Sequence, residues 1–318
     1  MNRWIWFWLL AVMLGGCSEE DDLDVDVSAI PVEVRIDRFD KLFYGAAPAT
    51  LPALKEKYPF LLDASVPDSI WKAKMQDTLL LKLKKQVDSV YSGNSRIEPV
   101  LTDLFKHIKY YFPRFTEPRV ITLYSDWDYT KRAYYADSLA FLFIDNFLGS
   151  ENPIYNGIPR YIRITETPAH MGPAMAESVA AALVPYPRTH DLLNKMIYYG
   201  KILYLQKAFL PHTPDSVLLK YPAEKMQWAK DHEADVWLYF LDNKLLYSTD
   251  PKLDARFLDW APFSKFYTAV DNKSAGMIGR YIGYRIVGEY MRREKPSLDE
   301  LIRADAETVF RKSKYKPE

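Results

Sequence analysis

The sequence predicts a single α+β domain that is mainly helical and carries a small sheet near its N-terminal half. Short alternating or β-branched segments are confined to the first half of the chain, whereas long segments with helical periodicity fill the second half. Strands that come first and helices that come afterwards are typical of α+β folds with the sheet on one side. The chain has 318 residues and 48% hydrophobic content, which is enough for one large core.

Residues 1–16 are predicted to be a signal peptide. Arg3 precedes a run of ten apolar residues, and small residues come before the point of cleavage. Ten residues are too few to span a bilayer as a helix. The Leu-Gly-Gly-Cys run that ends at Cys17 resembles the lipobox of bacterial lipoproteins, which implies cleavage between Gly16 and Cys17 and acylation of the Cys17 sulfur, for example by palmitate. The alternative is a buried core cysteine, and no second cysteine is present to form a disulfide.

Residues 17–29 are predicted to be the lipidated cysteine and an acidic tether. Residues 18–26 contain six acids and no base, so this run repels itself and stays extended. Thirteen steps from Cys17 to Ile30 span roughly 43 Å at about 3.3 Å each. Ser18 beside the cysteine resembles outer-membrane sorting sequences, and the acids resemble export signals of surface lipoproteins, although a merely soluble spacer is the alternative. We therefore expect a lipid-anchored protein of the cell envelope, on the outer membrane in preference to the inner one.

The remaining residues, 30–318, are predicted to form one globular domain of modest positive charge. The signal peptide holds one of the 42 basic residues and the tether holds six of the 42 acids, which leaves 41 basic against 36 acidic residues. This excess is well short of a nucleic-acid-binding composition, so no nucleic-acid partner is expected. The domain contains no internal repeat that would indicate a solenoid.

The first half of the domain is predicted to contain short strands and short helices. Alternation of apolar and polar residues places two valines and an isoleucine on one face of a first strand, and later apolar segments predict a central strand and its neighbours. The predicted strands are residues 32–37, 119–124, 138–144 and 161–164. Proline or glycine at the ends of periodic segments predicts helices at residues 48–58, 67–92 and 99–111. The second of these is expected to present one apolar stripe made of Leu79, Leu83, Val87 and Val90.

From Pro168 onward the chain is predicted to be helical. The expected helices are residues 174–183, 191–210, 223–246 and 276–291. In the last of these, Gly279 and Gly283 lie four residues apart, which permits close approach of a second helix, with a docking groove for a partner as the alternative. Arg280 and Arg285 make this segment too polar to span a membrane.

The histidines, serines and glycines of the sequence form none of the common catalytic motifs. No histidine has another four residues away, and in the run around His232 and Glu233 the position for a second ligand is Val236. We therefore predict no metal and no cofactor, with His232 and Glu233 on a solvated helix face or, alternatively, in a divergent site. The sequence also contains no glycine-x-serine-x-glycine elbow and no phosphate-binding glycine loop.

Aromatic and cationic residues supply the candidate interaction surface. Aromatics make up 15% of the chain, and most are expected to be core, although rings such as Trp127 could also stack against sugars. The candidate interaction residues are Trp260, Lys265, Arg280 and Arg285.

Several segments of the C-terminal half resemble the GldB family of gliding-motility lipoproteins. They are residues 196–204 (MIYYGKILY), followed by Pro211, residues 237–240 (WLYF), 245–250 (LLYSTD), 261–267 (APFSKFY) and 312–317 (KSKYKP). Ala275-Gly276 stands where the family often has proline-glycine. The resemblance covers about residue 191 to the end, together with the N-terminus. It implies a lipoprotein of the gliding machinery, which is coupled to a dedicated protein-secretion system, and no enzyme activity.

The chain is also distantly similar to a group of zinc peptidases, whose catalytic helix would fall near residues 168–183. This similarity implies a degenerate zincin-like architecture, because Ala174 stands four residues after His170, and Ala181 four after Glu177. We therefore expect a non-catalytic, lipid-anchored envelope protein that docks gliding or secretion proteins. A divergent metal-dependent or other hydrolase, and a surface lipoprotein that binds glycans through Trp127 or Trp260, are the alternatives. The sequence does not define the peptide or glycan ligand.

Overall fold

Four short strands form one mixed sheet in the computed structural model, which describes residues 23–317. The strands are β1 (Ile36–Asp37), β2 (Arg119–Leu123), β3 (Ala133–Ala136) and β4 (Leu139–Phe143), in the order β1-β2-β4-β3. β1, β2 and β4 run parallel, and β3 pairs antiparallel with β4 at one edge. The loop after β2, the start of β3 and the loop after β4 therefore meet at one edge of the sheet, which we call the carboxyl edge.

Fifteen α-helices account for nearly half of residues 23–317. They are α1 (Phe39–Tyr44), α2 (Leu51–Lys57), α3 (Asp68–Met75), α4 (Thr78–Val90), α5 (Glu98–Tyr111), α6 (Arg160–Arg163), α7 (Met171–Leu183), α8 (Leu192–Phe209), α9 (Asp215–Leu218), α10 (Ala223–Asp231), α11 (Glu233–Asp242), α12 (Lys252–Phe257), α13 (Ile278–Glu294), α14 (Leu298–Arg303) and α15 (Ala306–Ser313). The predicted mainly helical α+β class is confirmed. No helix in this part of the chain is long and apolar enough to cross a membrane.

Two long predicted helices are each divided in two by a capping residue. Asp77 ends the predicted helix at 67–92 and starts α4, because its carboxylate accepts hydrogen bonds from the backbone N–H groups of Leu79 and Leu80. The predicted apolar stripe is confirmed at Leu83 and Val87, which are buried, and at the half-buried Val90, whereas Leu79 is 57% exposed and Leu80 is buried in its place. The predicted helix at 223–246 breaks at His232, between α10 and α11.

The strand predictions were right for the centre of the sheet and wrong at its edges. β2 and β4 match prediction, whereas only Ile36–Asp37 of the predicted first strand is paired. Residues 161–164 are not a strand, because the N–H groups of Ile162 and Arg163 bond back to the carbonyl of Pro159 and form the helical turn α6. Four residues are too few to distinguish the period of about two residues of a strand from the period of about 3.6 residues of a helix. β3 was not predicted.

The core of the second half is the contact between α8 and α13. Gly200 and Gly283 face each other there, and a Cβ added at Gly200 would lie 2.3 Å from the carbonyl oxygen of Gly283. Without side chains the two backbones approach closely, so the glycine stripe of α13 serves helix packing inside the domain. The alternative of an open docking groove along Gly279 and Gly283 is therefore wrong.

The first described residues lie against the domain. Val27 is buried, and Lys106 and Lys109 of α5 donate hydrogen bonds to the carbonyl oxygens of Ser28 and Pro31 at 3.3 and 3.1 Å. The predicted tether thus overlaps the folded body over residues 23–29. The predicted signal peptide and the lipidation site at Gly16 and Cys17 lie outside the described residues.

Candidate functional site

Helix α7 carries the residues that the zinc-peptidase similarity singled out. His170 stands just before α7, and its Nδ1 lies 2.8 Å from the hydroxyl of Thr167. Burial, together with the positive charges of Arg132 and Lys220, lowers the pKa of His170 to about 3, so the ring is neutral at physiological pH. Ala174, where a second ligand would stand, is buried.

The acid of α7, Glu177, is held by two cations from other parts of the chain. Its carboxylate accepts a hydrogen bond from Lys220 Nζ at 2.8 Å and lies 3.8 Å from Arg280 Nη1. Burial opposes ionisation of Glu177, but these positive charges outweigh it and lower the pKa of the carboxyl. Burial also lowers the pKa of Lys220, which Glu177 partly offsets. The charge of Glu177 is therefore already compensated within the protein.

This arrangement does not fit a bound zinc ion. Zinc sites in proteins need three or four nitrogen, sulfur or oxygen ligands gathered around one point. Within residues 23–317 no group of three or more histidine, cysteine, aspartate or glutamate side chains could hold a metal. At α7, two cations lie where a metal site would need a free acid.

Trp260 lies beside the same charged cluster. Its ring centroid is 5.3 Å from Lys220 Nζ and 5.9 Å from the Arg132 guanidinium carbon. Tyr129 and Tyr161 contact it edge to face, at centroid distances of 6.3 and 6.1 Å. Trp260 thus lies between two cations, Arg132 and the Glu177 partner Lys220, and the aromatic rings of Tyr129 and Tyr161.

The other predicted interaction residues separate into different places. Arg280 joins the Trp260 cluster through Glu177 and also stacks on Tyr199, with its guanidinium carbon 3.9 Å from the ring centroid. Arg285, on the same helix, instead donates to Glu233 at 3.1 Å. Lys265 is exposed, and its backbone carbonyl accepts a hydrogen bond from Arg256. The structure therefore groups Trp260 with Arg280 and places Arg285 and Lys265 elsewhere.

His232 and Glu233 have structural surroundings. The ring of His232 stacks on Trp228 with centroids 4.5 Å apart. Glu233 is buried and accepts hydrogen bonds from the hydroxyls of Tyr281 and Tyr315 at 2.6 and 2.8 Å, in addition to that from Arg285. The prediction of a solvated helix face is therefore wrong for Glu233, which fastens α13 and the C-terminal segment to α11.

A large cavity opens next to Trp260. It has a volume of about 330 Å³ and combines aromatic walls, among them Tyr161 and Tyr221, with the cations Arg160, Lys220 and Lys225 and the single acid Glu224. We call it the basic cavity. Sequence reasoning missed it because its walls come from α6, the loop before α10, the residues after Trp260 and the start of α13, which are remote in sequence.

A smaller cavity of about 160 Å³ lies at the carboxyl edge, between the loops that follow β2 and β4. Trp127, Tyr129 and Tyr155 line it together with the polar side chains of Ser125 and Asp145. Ligands of open sheets with parallel strands commonly bind at this edge. We call it the edge cavity.

Asp145 is the most deeply buried acid of the edge cavity. It is 4% exposed, and its two oxygens accept hydrogen bonds from Ser125, from the backbone N–H at 2.9 Å and from the hydroxyl at 2.7 Å. Burial raises the pKa of Asp145 to about 6, because the hydrogen bonds from Ser125 only partly offset the loss of water. The group is therefore mostly ionised at neutral pH and acts as an acceptor.

Arg132, just before β3, joins the loop between α6 and α7 to Trp260. Its guanidinium donates to Glu166 Oε1 and to the carbonyl of Thr165, both at 2.6 Å. Glu166 is fully buried, its second oxygen has no hydrogen-bond partner in the described part of the chain, and burial raises its pKa to about 7. The contacts of Arg132 and Lys220 with Trp260 thus join this loop to the basic cavity.

These features define a mainly helical α+β protein whose helix α7 carries an acid held by two cations, with one cavity at the carboxyl edge of a small mixed sheet and a second beside Trp260. The chain belongs to the family of the gliding motility protein GldB, whose model matches residues 20–317. The match includes the N-terminal half of the domain, which the predicted resemblance did not cover. The family model is that of a lipoprotein, and it associates the chain with the cell envelope. No curated protein and no solved structure matches the chain.

Proposed function

We propose that this gliding-motility protein is a lipid-anchored, non-catalytic component of the cell envelope that docks other gliding or secretion proteins. The observation that carries the non-catalytic part is the salt bridge of Glu177 with Lys220 and Arg280. A catalytic acid needs a free carboxylate, either as a metal ligand or as a base within reach of water. In this chain the carboxylate on the peptidase-like helix is engaged by two internal cations.

The proposed anchor is the acylated Cys17. Two or three acyl chains, at about 0.8 kcal/mol for each buried methylene, hold a protein on a bilayer almost permanently. The carbonyl of Leu23 accepts a hydrogen bond from the hydroxyl of Tyr111, so six steps separate Cys17 from a residue in contact with the body. At about 3.3 Å each, six steps reach at most roughly 20 Å, which keeps the domain close to its membrane. Ser18 beside the lipidated cysteine favours the outer membrane, and the acids behind it favour export to the surface.

The test is complementation of a gene deletion in the organism that encodes the chain. Wild-type protein should restore spreading over surfaces and secretion, whereas Cys17→Ser should remain unlipidated and restore neither. A soluble Cys17→Ser protein that restores both would contradict the anchoring role. Membrane fractionation of the same strains gives the location, and protease treatment of intact cells shows which side the domain faces.

The non-catalytic part is tested with His170→Asn in the same strain. A non-catalytic chain should restore spreading fully with this variant, provided that the purified variant melts like the wild type. Loss of spreading by a stably folded His170→Asn protein, or stoichiometric zinc in the purified full-length wild type, would overturn the proposal in favour of a divergent hydrolase.

A further inference from the structure

The edge cavity and the basic cavity are neighbours along one chain segment. Tyr129 lines the edge cavity and contacts Trp260 of the basic cavity. The segment from Ile154 to Ile164 also lines both, with Ile158 in the edge cavity and Tyr161 in the basic one. A single elongated ligand that reaches past Tyr129 can therefore occupy both cavities.

Trp127 is held at the rim of the edge cavity by an unusual backbone conformation. Asp126 and Trp127 both have positive φ angles, 55° and 69°, and the indole is 50% exposed. Two consecutive non-glycine residues in this region cost about 1 kcal/mol or more each, and such strain clusters at binding sites. The strain presents a flat aromatic ring to the solvent at the mouth of the cavity.

Three carboxylate or amide side chains line the edge cavity. Asp145 and Asn146 are buried, with Asn146 Nδ2 donating to the carbonyl of Lys131 at 2.6 Å, and Asn156 is exposed. Carboxylates accept two or more hydrogen bonds, and amides both donate and accept, so together they match neighbouring hydroxyl groups. An exposed aromatic ring and polar side chains lining one cavity complement a sugar ring, which has an apolar C–H face and vicinal hydroxyls.

The basic cavity adds a requirement for negative charge. Lys225 Nζ donates to the carbonyl oxygens of Asn272 and Ser274 at 2.8 and 2.7 Å, which uses two of its three N–H groups. Glu224, the single acid among the lining residues, lies 3.9 Å from Arg160. Because Lys220 is paired with Glu177, Glu224 is the acid that has to balance the charges of both Arg160 and Lys225. The lining therefore carries an excess of positive charge beside its aromatic rings.

We propose that the two cavities together bind an acidic oligosaccharide. A sugar ring stacks on Trp127 with its hydroxyls at Asp145, and the carboxylate of a following uronic acid residue accepts a hydrogen bond from Lys225. This ligand is additional to the protein partner of the proposed function, and its binding does not depend on that proposal.

A peptide is the less suitable occupant of this region. Extended peptides commonly bind by adding a strand to an exposed sheet edge. The sheet has two edge strands: β1 is only two residues long, and in β3 the backbone N–H of Tyr135 already donates to the hydroxyl of Ser178 on α7 at 2.8 Å. This contact blocks regular strand addition at β3.

The proposal is tested on the full-length protein in detergent, with an array of neutral and uronate-containing oligosaccharides and an acidic peptide as probes. Calorimetry then measures the dissociation constant for the best uronate-containing binder. We expect Trp127→Ala and Lys225→Gln each to weaken that binding at least about tenfold. Tyr247→Ala and Lys230→Gln, which change an exposed aromatic ring and an exposed lysine elsewhere, should leave it unchanged.

Three outcomes would overturn the proposal. In the first, no uronate-containing oligosaccharide binds. In the second, the control variants weaken binding as much as Trp127→Ala and Lys225→Gln do. In the third, the acidic peptide binds where the sugars do not, and its binding depends on Trp127 and Lys225. Melting temperatures of all four variants within about two degrees of the wild type ensure that any loss of binding is local. Failure of sugar binding would leave the complementation results for Cys17 and His170 unaffected.

Discussion

Two glycines of α13 differ sharply in what surrounds them. A Cβ added at Gly283 would lie 1.8 Å from the carbonyl oxygen of Met196 in α8, whereas a Cβ at Gly288 would meet nothing within 4 Å. Because real Cβ atoms essentially never come closer than 3.0 Å to such a neighbour, Gly283→Ala requires α8 and α13 to separate locally by at least 1.2 Å. Gly288→Ala requires no movement and is the matched control.

The expected cost follows from this separation. Overpacking a core costs about 1–3 kcal/mol, and Gly283→Ala belongs at the upper end because a backbone carbonyl cannot rotate away. At about 2 °C per kcal/mol for a domain of this size, the melting temperature should fall by roughly 6 °C or more. Gly288→Ala places a better helix former in α13 and should increase the free energy of unfolding by about 0.5–1 kcal/mol.

Circular dichroism during heating of the full-length proteins, in one detergent, measures both effects. The difference between the two variants is more informative than either value, because the chemical change is identical. A Gly283→Ala protein that melts within one degree of the wild type, or together with Gly288→Ala, would refute the close approach of the two helices.

Three further predictions concern the buried acids Asp145 and Glu233 and the half-buried Glu177. Burial raises the pKa of Asp145 from 3.8 to about 6, so ionising this acid destabilises the folded state as the pH rises through this window. Asp145→Asn removes this cost because asparagine does not ionise. The free energy of urea unfolding of the variant, relative to the wild type, should therefore increase by about 2 kcal/mol between pH 4.5 and 7.5. A difference that does not change with pH would contradict the raised pKa. Glu177→Gln leaves Lys220 without its acid and should lower the unfolding free energy by about 2 kcal/mol, part of which the added Lys220→Met should restore in a double-mutant cycle. Glu233→Gln weakens the hydrogen bond from Tyr315. It should lower the free energy of unfolding by about 1–3 kcal/mol and speed tryptic cleavage of the C-terminal segment. An unchanged cleavage rate would show that this bond does not fasten the segment.

The candidate site was predictable only in part. Trp260 and Arg280 were identified from the sequence, and in the structure both lie beside the Glu177 and Lys220 pair. Asp145 was not identified, because a single aspartate after an apolar strand has no distinctive local pattern. Its character comes from burial next to Ser125, which only the meeting of two loops at the carboxyl edge produces.

Local patterns in the sequence determined the α+β class, the two central strands and the principal long helices. Those features depend on periodicity within a few turns or residues, which every segment carries by itself. The N-terminal signal and the lipid-anchor prediction at Cys17 likewise rest on one short run.

The tertiary structure decided how charges and cavities are combined. Glu177 meets Lys220 across 43 positions of the chain, and Trp127 lines the edge cavity while Tyr129 connects it with Trp260 of the basic cavity. Neither partner of such a contact marks the other in sequence, because the approach is set by how the helices pack around the sheet. The same packing brings Gly200 and Gly283 together. The sequence left an external docking groove open as an alternative for the glycine stripe of α13, and the structure places that stripe in the internal contact of two helices.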